Sequence, residues 1–418
     1  MTAMMDEKKK MEISVVLPCL NEAETLKTCI TKALRCLKDH GLNGEVLVVD
    51  NGSTDGSQSI ATGCGARVID QPIRGYGAAL HKGFEEARGE YIVMGDADDS
   101  YDFANVYRFV EKLREGYDIV MGTRLKGTIK PGAMPWLHQY VGNPVLTCIL
   151  NVLYQAGISD AHCGLRGFRK DTILSLDLRT PGMEFASEMI IKAARARVKM
   201  TEIPITLSPA GRSRRPHLRT FRDGWRHLRF MLLMAPDVLF IWPGIIIGLL
   251  AFLVQLSIWL LGPLVIRGIN FAENTMIACM VITLIAFQIL YLGVFAHLFI
   301  YFKDYRLRDR ITNFILKFSK FETGIIVGSL LILIGLGGDL SVYYQWHSTG
   351  WGDLGREAIR GFIFYSTVLI FGVQAICSAF LLHMIGVDRA IYSADLTRAH
   401  NISRVPVNKS VHESIPAN

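Results

Sequence analysis

Apolar positions fall into two regimes along this chain. Up to about residue 235 they come in short runs, each followed by a turn and a stretch with helical spacing; from 238 to 387 they form four long blocks. The first short run is 13–17. Pro18 is expected to stop it, and Asn21 is placed to cap the following helix, with Glu24 at the capping-box spacing. Residues 46–49 repeat the pattern ahead of a turn rich in Asp, Asn, Gly and Ser. "ARVIDQ" (66–71) supplies a third strand and "GYGAALHKGFEEA" (75–87) its helix, while "GEYIVMGDAD" (89–98) supplies a fourth strand. Strands alternating with helices predict an α/β domain with a parallel, doubly wound sheet. Such sheets bind ligands beyond the carboxyl ends of their strands. The polar residues ending these strands are Asn21 and Glu22, Asp50 and Ser53, and Asp96 and Asp98, so three separate segments converge on one rim.

The four long blocks, 238–262, 275–302, 324–345 and 361–387, each meet the ~20 residues a helix needs to cross a bilayer core. The third is the weakest, because Asp339 sits near its end. Basic residues crowd ahead of the first block (Arg212, Arg214, Arg215, Arg219, Arg222, Arg226, Arg229) and between the second and third (Lys303, Arg306, Arg308, Arg310, Lys317, Lys320). The other loops hold only Arg267 in one, and Arg356 with Arg360 in the other. The positive-inside rule therefore sets both termini and the N-terminal region of a multi-pass membrane protein on the cytoplasmic side. The polar start "MTAMMDEKKKMEISVV" runs straight into a strand and reads as lacking a cleavable signal. A formal net charge of +7 suits anionic lipid headgroups, and no nucleic-acid recognition motif accompanies the basic cluster. The eight cysteines show no CxxC and no metal-ligand spacing, and read as reduced core residues.

"GEYIVMGDADDSYDF" (89–103) brings Asp96, Asp98, Asp99 and Asp102 close together, and like charges at that density repel unless a cation sits among them. Alternate carboxylates at a strand end, Asp96 and Asp98, suit one hard divalent cation, Mg²⁺ or Mn²⁺, held by oxygen ligands. Such a cation also stabilises the charge that builds on a departing diphosphate.

"VVLPCLNEAETL", "VLVVDNGSTDGS" and "GDADDSYD" resemble the signature blocks of the family 2 glycosyltransferases with a GT-A fold. "GISDAHCGLRGFRKD" (157–171) is similar to a block of the polyprenyl-phosphate glycosyltransferases, the dolichol-phosphate mannose and glucose synthases among them. The resemblance covers roughly 13–230. It implies a nucleotide-sugar-binding, Rossmann-like GT-A domain over 1–217, and the arginines at helical spacing make 218–236 an expected amphipathic juxtamembrane helix. A four-helix transmembrane domain over 237–390 and a flexible tail over 391–418 complete the expected layout. It implies inverting transfer of a sugar from a nucleotide donor to a polyprenyl or dolichyl phosphate. By the same resemblance Pro18, Glu22, Asp50 and Ser53 line the nucleotide pocket with Asp50 on the base, and Asp96 and Asp98 form the metal-binding DxD motif. Asp160 and Arg166 then lie near the reacting centre.

The chemistry of such a transfer agrees. A phosphate monoester is already an anionic nucleophile at neutral pH, so the site needs positive charge more than a base. Arg124, Arg166, Arg169 and Arg212 are the candidates to grip the acceptor phosphate, since the planar guanidinium can hold phosphate oxygens bidentately. Lys82 and Arg74, flanking "GYGAAL", are candidates for the donor phosphates, and Asn21 for the donor pocket. Gly75 and Gly77 permit close backbone approach. Glu184 and Glu188 lie four apart on one helix face, positioned to orient an arginine or sugar hydroxyls or to form a surface pair. His138 and His162 read as structural.

Residues 134–157, apolar but interrupted by prolines, read as an interfacial segment, and 218–236 as a second one carrying arginines at helical spacing. Asn51 and Thr54, where GDP-mannose-dependent relatives typically carry Asp and Pro, favour a UDP-sugar, UDP-glucose or a UDP-N-acetylhexosamine. Two other readings stand beside this one. A processive polysaccharide synthase lacks support because its QxxRW-type block is missing, and a non-enzymatic scaffold conflicts with the intact acids and arginines. The four long blocks leave room for homo-oligomerisation.

Overall fold

The computed structural model describes residues 10–214, 220–302, 310–318 and 320–402. The chain divides into two compact units, Met1–Ala235 and Pro236–Asn418.

The first unit is built on a seven-stranded sheet. In chain order its elements are β1 (Ile13–Cys19), α1 (Leu26–Asp39), β2 (Gly44–Asp50), α2 (Ser57–Gly63), β3 (Arg67–Asp70), α3 (Tyr76–Glu86), β4 (Tyr91–Met94) and α4 (Tyr107–Arg114). Then follow β5 (Ile119–Ile129), α5 (Asn143–Tyr154), β6 (Arg166–Arg169), α6 (Lys170–Ser175), α7 (Phe185–Arg195), β7 (Met200–Leu207) and α8 (Thr220–Leu233). The strand order is β3-β2-β1-β4-β6-β5-β7. The expected four-strand parallel core is present: β1 pairs in parallel with β2 and β4, and β2 with β3. The inner strands β1, β2 and β4 are covered on both faces, which is why 15–17, 46–49 and 91–94 read as apolar runs. The sheet continues through β6, which runs antiparallel to β4 and β5, so the whole is mixed. Its apolar core is filled by Leu17, Val48, Val93, Phe103 and Phe109 among others.

Two local expectations differ. β1 does not stop at Pro18 but runs to Cys19. The ladder with β4 has already ended at Val16, so the missing N–H of Pro18 removes no bond on that side. Nor does Asn21 cap α1: the helix starts at Leu26, and Asn21 takes a left-handed conformation with φ 57°. Its side-chain oxygen instead accepts the Thr54 N–H at 2.8 Å, and Glu24 turns to Ser213. The turn after β2 takes the one polar group and the segment after β7 the other, in place of the helix.

In the second unit, four helices are long and apolar enough to cross a membrane among the described residues: Asp237–Leu261, Glu273–Phe302, Phe321–Ser348 and Arg356–Met384. They correspond to α9 (Trp242–Leu261) with the wide-turn segment before it, α10 (Glu273–Phe302), α12 (Phe321–Ser348) and the first part of α13 (Arg356–Ile402). The hairpin β8 (Leu264–Ile266) and β9 (Ile269–Phe271) joins the first two, and α11 (Arg310–Phe318) precedes the third. Most of their leucines and isoleucines face outward, as lipid-facing side chains do. α12 packs on α13 through small residues: a Cβ on Gly335 would stand 2.5 Å from the Leu369 nitrogen, and one on Gly328 2.8 Å from the Gly372 oxygen. α13 continues as helix to Ile402, through a stretch whose polarity suggests a tail; 403–418 lie outside the described residues, as do Arg215, Arg219, Lys303, Arg306 and Arg308.

Candidate active site

Because β1, β2 and β4 are parallel neighbours, their carboxyl ends share one edge. Glu22, Asp50 and the 96–98 turn therefore meet there. The antiparallel β6 enters the sheet from that same edge with Arg166 opposite Met94, and leaves it with Arg169 opposite Tyr91. Arg124, on β5, lies beyond the Met121↔Arg166 pairing on the site's side.

The acids of the fourth turn separate by role. Asp99 pairs with Lys32 at 2.7 Å, and Asp102 caps the turn after it by accepting from Ala104 and Asn105. Asp96 and Asp98 remain. Asp96 accepts the Tyr76 hydroxyl at 2.9 Å; burial, then the charge of Asp98, push its carboxyl up to about 6. Asp98 accepts from Ser100 at 2.6 Å on one oxygen and faces Arg212 at 3.1 Å with the other. Gly164 makes room: a Cβ there would stand 2.6 Å from Asp96 Oδ2.

Arg212 belongs to a segment that crosses the rim after β7. Gly211 N–H donates to the Asp98 carbonyl, Ser213 is held by Glu24, and Arg214 donates to the Leu20 carbonyl. Arg212 and Arg214 both reach Glu22 Oε1, at 2.6 and 2.5 Å, while Glu22 Oε2 is buried with no hydrogen-bond partner. Burial raises the Glu22 carboxyl, and the two arginines oppose it. Arg212 is therefore tied to two carboxylates.

Asp50 is fully buried. Its Oδ2 accepts from Gly52, Ser53 and Gln58, whereas Oδ1 is buried without a partner. Burial opposes ionisation, yet those hydrogen bonds hold the carboxyl below its ordinary value. Ser53 Oγ accepts the Asn21 N–H at 2.8 Å, and Pro18 is half-buried beside Cys19 at the strand end. Asn51, by contrast, is a brace. Its amide donates to the carbonyls of Gln71 and Ile73, and its oxygen accepts the Gly75 N–H.

Several of the expected site residues have partners within the protein. Asp160 binds Arg124 through both oxygens, at 2.7 Å each, and also takes the Arg124 N–H at 3.0 Å. Asp160 thereby fixes the position of Arg124. Arg166 is sealed in the wall, its guanidinium donating to the carbonyls of Cys163, Ala161 and Ala186, so it braces the 161–163 loop. Arg169 sits at the opposite sheet edge beside Glu90, Asp118 and the Tyr91 ring. Lys82 lies along α3 and pairs with Glu86, away from the rim. Gly75 and Gly77 admit the 180–182 backbone: added Cβ atoms would stand 2.1 Å from the Pro181 oxygen and 2.2 Å from the Thr180 oxygen. Glu188 is a buried brace for Arg179, Thr180 and Lys192, while Glu184 faces Arg226 at 3.9 Å.

A family model for glycosyl transferase family 2 matches residues 14–175, and one for the glycosyltransferase family 2 C-terminal transmembrane region matches 294–386. The low-salt glycan biosynthesis hexosyltransferase Agl6 of Haloferax volcanii is 38% identical over 378 residues, covering 90% of this chain and 89% of that protein. The chain belongs to glycosyltransferase family 2. A dolichyl-phosphate hexose transferase of the same organism is 28% identical over 194 residues, covering 46% of this chain and 82% of that one. Among solved structures, a glucosyl-3-phosphoglycerate synthase from Mycobacterium tuberculosis, in complex with Mn²⁺, UDP and product, is 24% identical over 53% of this chain and 79% of that chain, with a TM-score of 0.43.

Within this family 2 domain, pattern reading passed over Tyr76 and Gln58, whose only sequence signals are places beside a glycine and in a Ser-rich turn. It also missed the polar inner face of α8. Asp223, His227 and Met231 point inward, whereas Phe221 and Trp225 are 82% and 58% exposed. His227 is bonded to Ser187 and stacks edge-on with His162; burial drives both imidazoles toward the neutral form, His227 to about 4.

Proposed function

We propose that this family 2 transferase moves a hexosyl group, with inversion, from a UDP-sugar, UDP-glucose foremost, to the phosphate of a membrane polyprenyl or dolichyl phosphate. The observation that carries the reading is one sheet edge holding Asp50, the Asp96–Asp98 pair and Arg124 within a single wall. Its similarity to a hexosyltransferase and to a dolichyl-phosphate hexose transferase of Haloferax volcanii supports it.

The free Oδ1 of Asp50 is a lone buried acceptor, and uracil offers one imino donor where guanine offers two adjacent ones. That supports a uridine nucleotide better than Asn51 does, since the Asn51 amide is bound to the neighbouring loop. Among the described residues no cluster of three protein ligands is built for a metal. The residues nevertheless fit a Mg²⁺ or Mn²⁺ that takes one or two carboxylates and completes its shell with diphosphate oxygens. Asp96 and Asp98 crowd negative charge that Arg212 only partly offsets. Bound there, the cation would supply neutralisation of the leaving diphosphate.

In the transfer, an acceptor phosphate oxygen forms the new bond to the anomeric carbon as the bond to the donor's β-phosphate oxygen breaks, and that electron pair leaves with UDP. No proton has to be removed, since a phosphate monoester with its second pKa near ~6 is largely dianionic at neutral pH. Arg124, held rigid by Asp160, presents positive charge to the acceptor phosphate. The exposed Trp136, Tyr140, Phe221 and Trp225 support a rim seated on lipid, and the basic segments support the cytoplasmic side.

The test is nucleotide binding to the detergent-solubilised chain. UDP should bind more tightly than GDP, and Asp50→Ala should weaken UDP by about tenfold or more, the value of one lost buried hydrogen bond. Equal affinity for both nucleotides, unchanged by the substitution, would remove Asp50 from the base site.

A further inference from the structure

Two hydroxyls divide the acid pair at the rim oxygen by oxygen. Asp96 Oδ1 accepts the Tyr76 hydroxyl at 2.9 Å. Asp98 Oδ1 accepts the Ser100 hydroxyl at 2.6 Å and the Ser100 N–H at 3.1 Å. Each carboxylate therefore has one oxygen engaged inside the protein. The second oxygens stand differently. Asp96 Oδ2 takes no hydrogen bond from a described residue, and Asp98 Oδ2 faces the Arg212 guanidinium at 3.1 Å, so a positive charge already stands on it.

Both hydroxyls are carried on braced backbone. Tyr76 opens α3 between Gly75 and Gly77, where the helix start lies so close to the 180–182 segment that Ala78 N–H donates to the Pro181 carbonyl at 3.1 Å. The Tyr76 ring meets Phe185 edge-on at 6.5 Å. Ser100 is buried, and its carbonyl accepts the Ser208 N–H at 2.9 Å.

A carboxylate can grip a cation with one oxygen or with both. Gripping with both would set the cation in competition with the hydroxyl for Oδ1, and an O–H that loses its acceptor costs stability. Ca²⁺ gathers about six to eight oxygens and often takes carboxylates through both. Mg²⁺ is smaller and octahedral, keeps several waters and takes one or two carboxylates, and Mn²⁺ shares the octahedral oxygen preference.

We infer that the Tyr76 and Ser100 hydroxyls are positioning groups that hold Asp96 and Asp98 to single-oxygen binding, and so select Mg²⁺ or Mn²⁺ over Ca²⁺. The inference rests on the cation binding proposed above and adds which divalent ions the site admits. Neither hydroxyl has to touch a substrate; each acts through its acid.

Nucleotide affinity is the probe, so the reading does not depend on turnover. UDP, with GDP in parallel, is titrated calorimetrically into the full-length protein in detergent with Mg²⁺, Ca²⁺ or EDTA. Wild-type protein should bind UDP about tenfold or more tightly with Mg²⁺ than with Ca²⁺. Tyr76→Phe keeps the ring on Phe185 and Ser100→Ala keeps the backbone N–H on Asp98. In each, the ratio should shrink by about tenfold, the contribution of one hydrogen bond to a charged group. The nucleotide's own preference between the two ions cancels between variants. A substitution that only loosens the site would weaken binding with both ions alike, so an unchanged ratio removes that hydroxyl from the selectivity. Wild-type binding that requires a cation but is equal with Mg²⁺ and Ca²⁺ overturns the inference and leaves the cation standing. Binding equally tight in EDTA, or absent with every ion for both nucleotides, overturns the two together.

Discussion

The Arg124–Asp160 pair can be tested by a double-mutant cycle. Asp160 is fully buried and Arg124 nearly so, and three hydrogen bonds of 2.7, 2.7 and 3.0 Å join them. Removing one partner of such a pair leaves an uncompensated buried charge, at a cost of about 3–5 kcal/mol. For a unit of this size each kcal/mol moves the unfolding midpoint by roughly 2–4 °C, so Asp160→Asn should lower it by about 6–12 °C even at the small end. Arg124→Met should do likewise. The double variant, which removes both charges, should lose at least ~2 kcal/mol less than the sum of the singles. Thermal unfolding of the four full-length proteins in one detergent supplies the numbers. Additivity within ~0.5 kcal/mol would refute the coupling. Activity adds a second reading: whatever transfer Asp160→Asn retains should keep the wild-type pH profile, since Asp160 positions Arg124. Loss of the profile's ascending limb in that variant would mean that Asp160 acts as a base instead.

Other expectations follow from the same contacts. Lys82→Ala should leave the donor KM unchanged, because Lys82 pairs with Glu86 away from the rim; a large rise would return it to the donor site. Gly77→Ala should destabilise the protein by about 1–3 kcal/mol through its clash with the Thr180 oxygen, and a neutral result would mean the 180–182 segment can yield. His227 titrates near about 4 when folded against an ordinary 6.5, so the unfolded chain binds the extra proton between those values. Stability should therefore be full above pH 6.5 and fall toward pH 4, by up to about 1.4 kcal/mol per pH unit, with a flatter slope in His227→Asn.

The parallel core and its rim were legible because burial on both faces writes itself as apolar runs at 15–17 and 46–49. The membrane unit was legible for a similar reason, since each span must be apolar around its whole circumference. What the pattern could not show was partnership. "CGLRGFRK" offers two arginines that look alike, yet three positions along one strand separate a buried brace from a side chain at the far sheet edge: β6 carries Arg166 beside Met94 and Arg169 beside Tyr91. Likewise Asp160 has the appearance of a catalytic acid until both its oxygens are seen on Arg124. Asn21 and Glu24 have capping-box spacing, but the turn after β2 and the segment after β7 take their hydrogen bonds through contacts with residues up to 189 positions away. Local spacing carries no information about such partners.

The measurement that bears most directly on the central claim is label transfer by the full-length protein in detergent. The panel comprises radiolabelled UDP- and GDP-sugars with undecaprenyl or dolichyl phosphate and Mg²⁺ or Mn²⁺. The account predicts that label from a UDP-hexose moves into the organic phase, vanishes with EDTA, and is absent in Asp98→Ala. Release of nucleotide with no label in lipid, or near-normal transfer by Asp98→Ala, would contradict it.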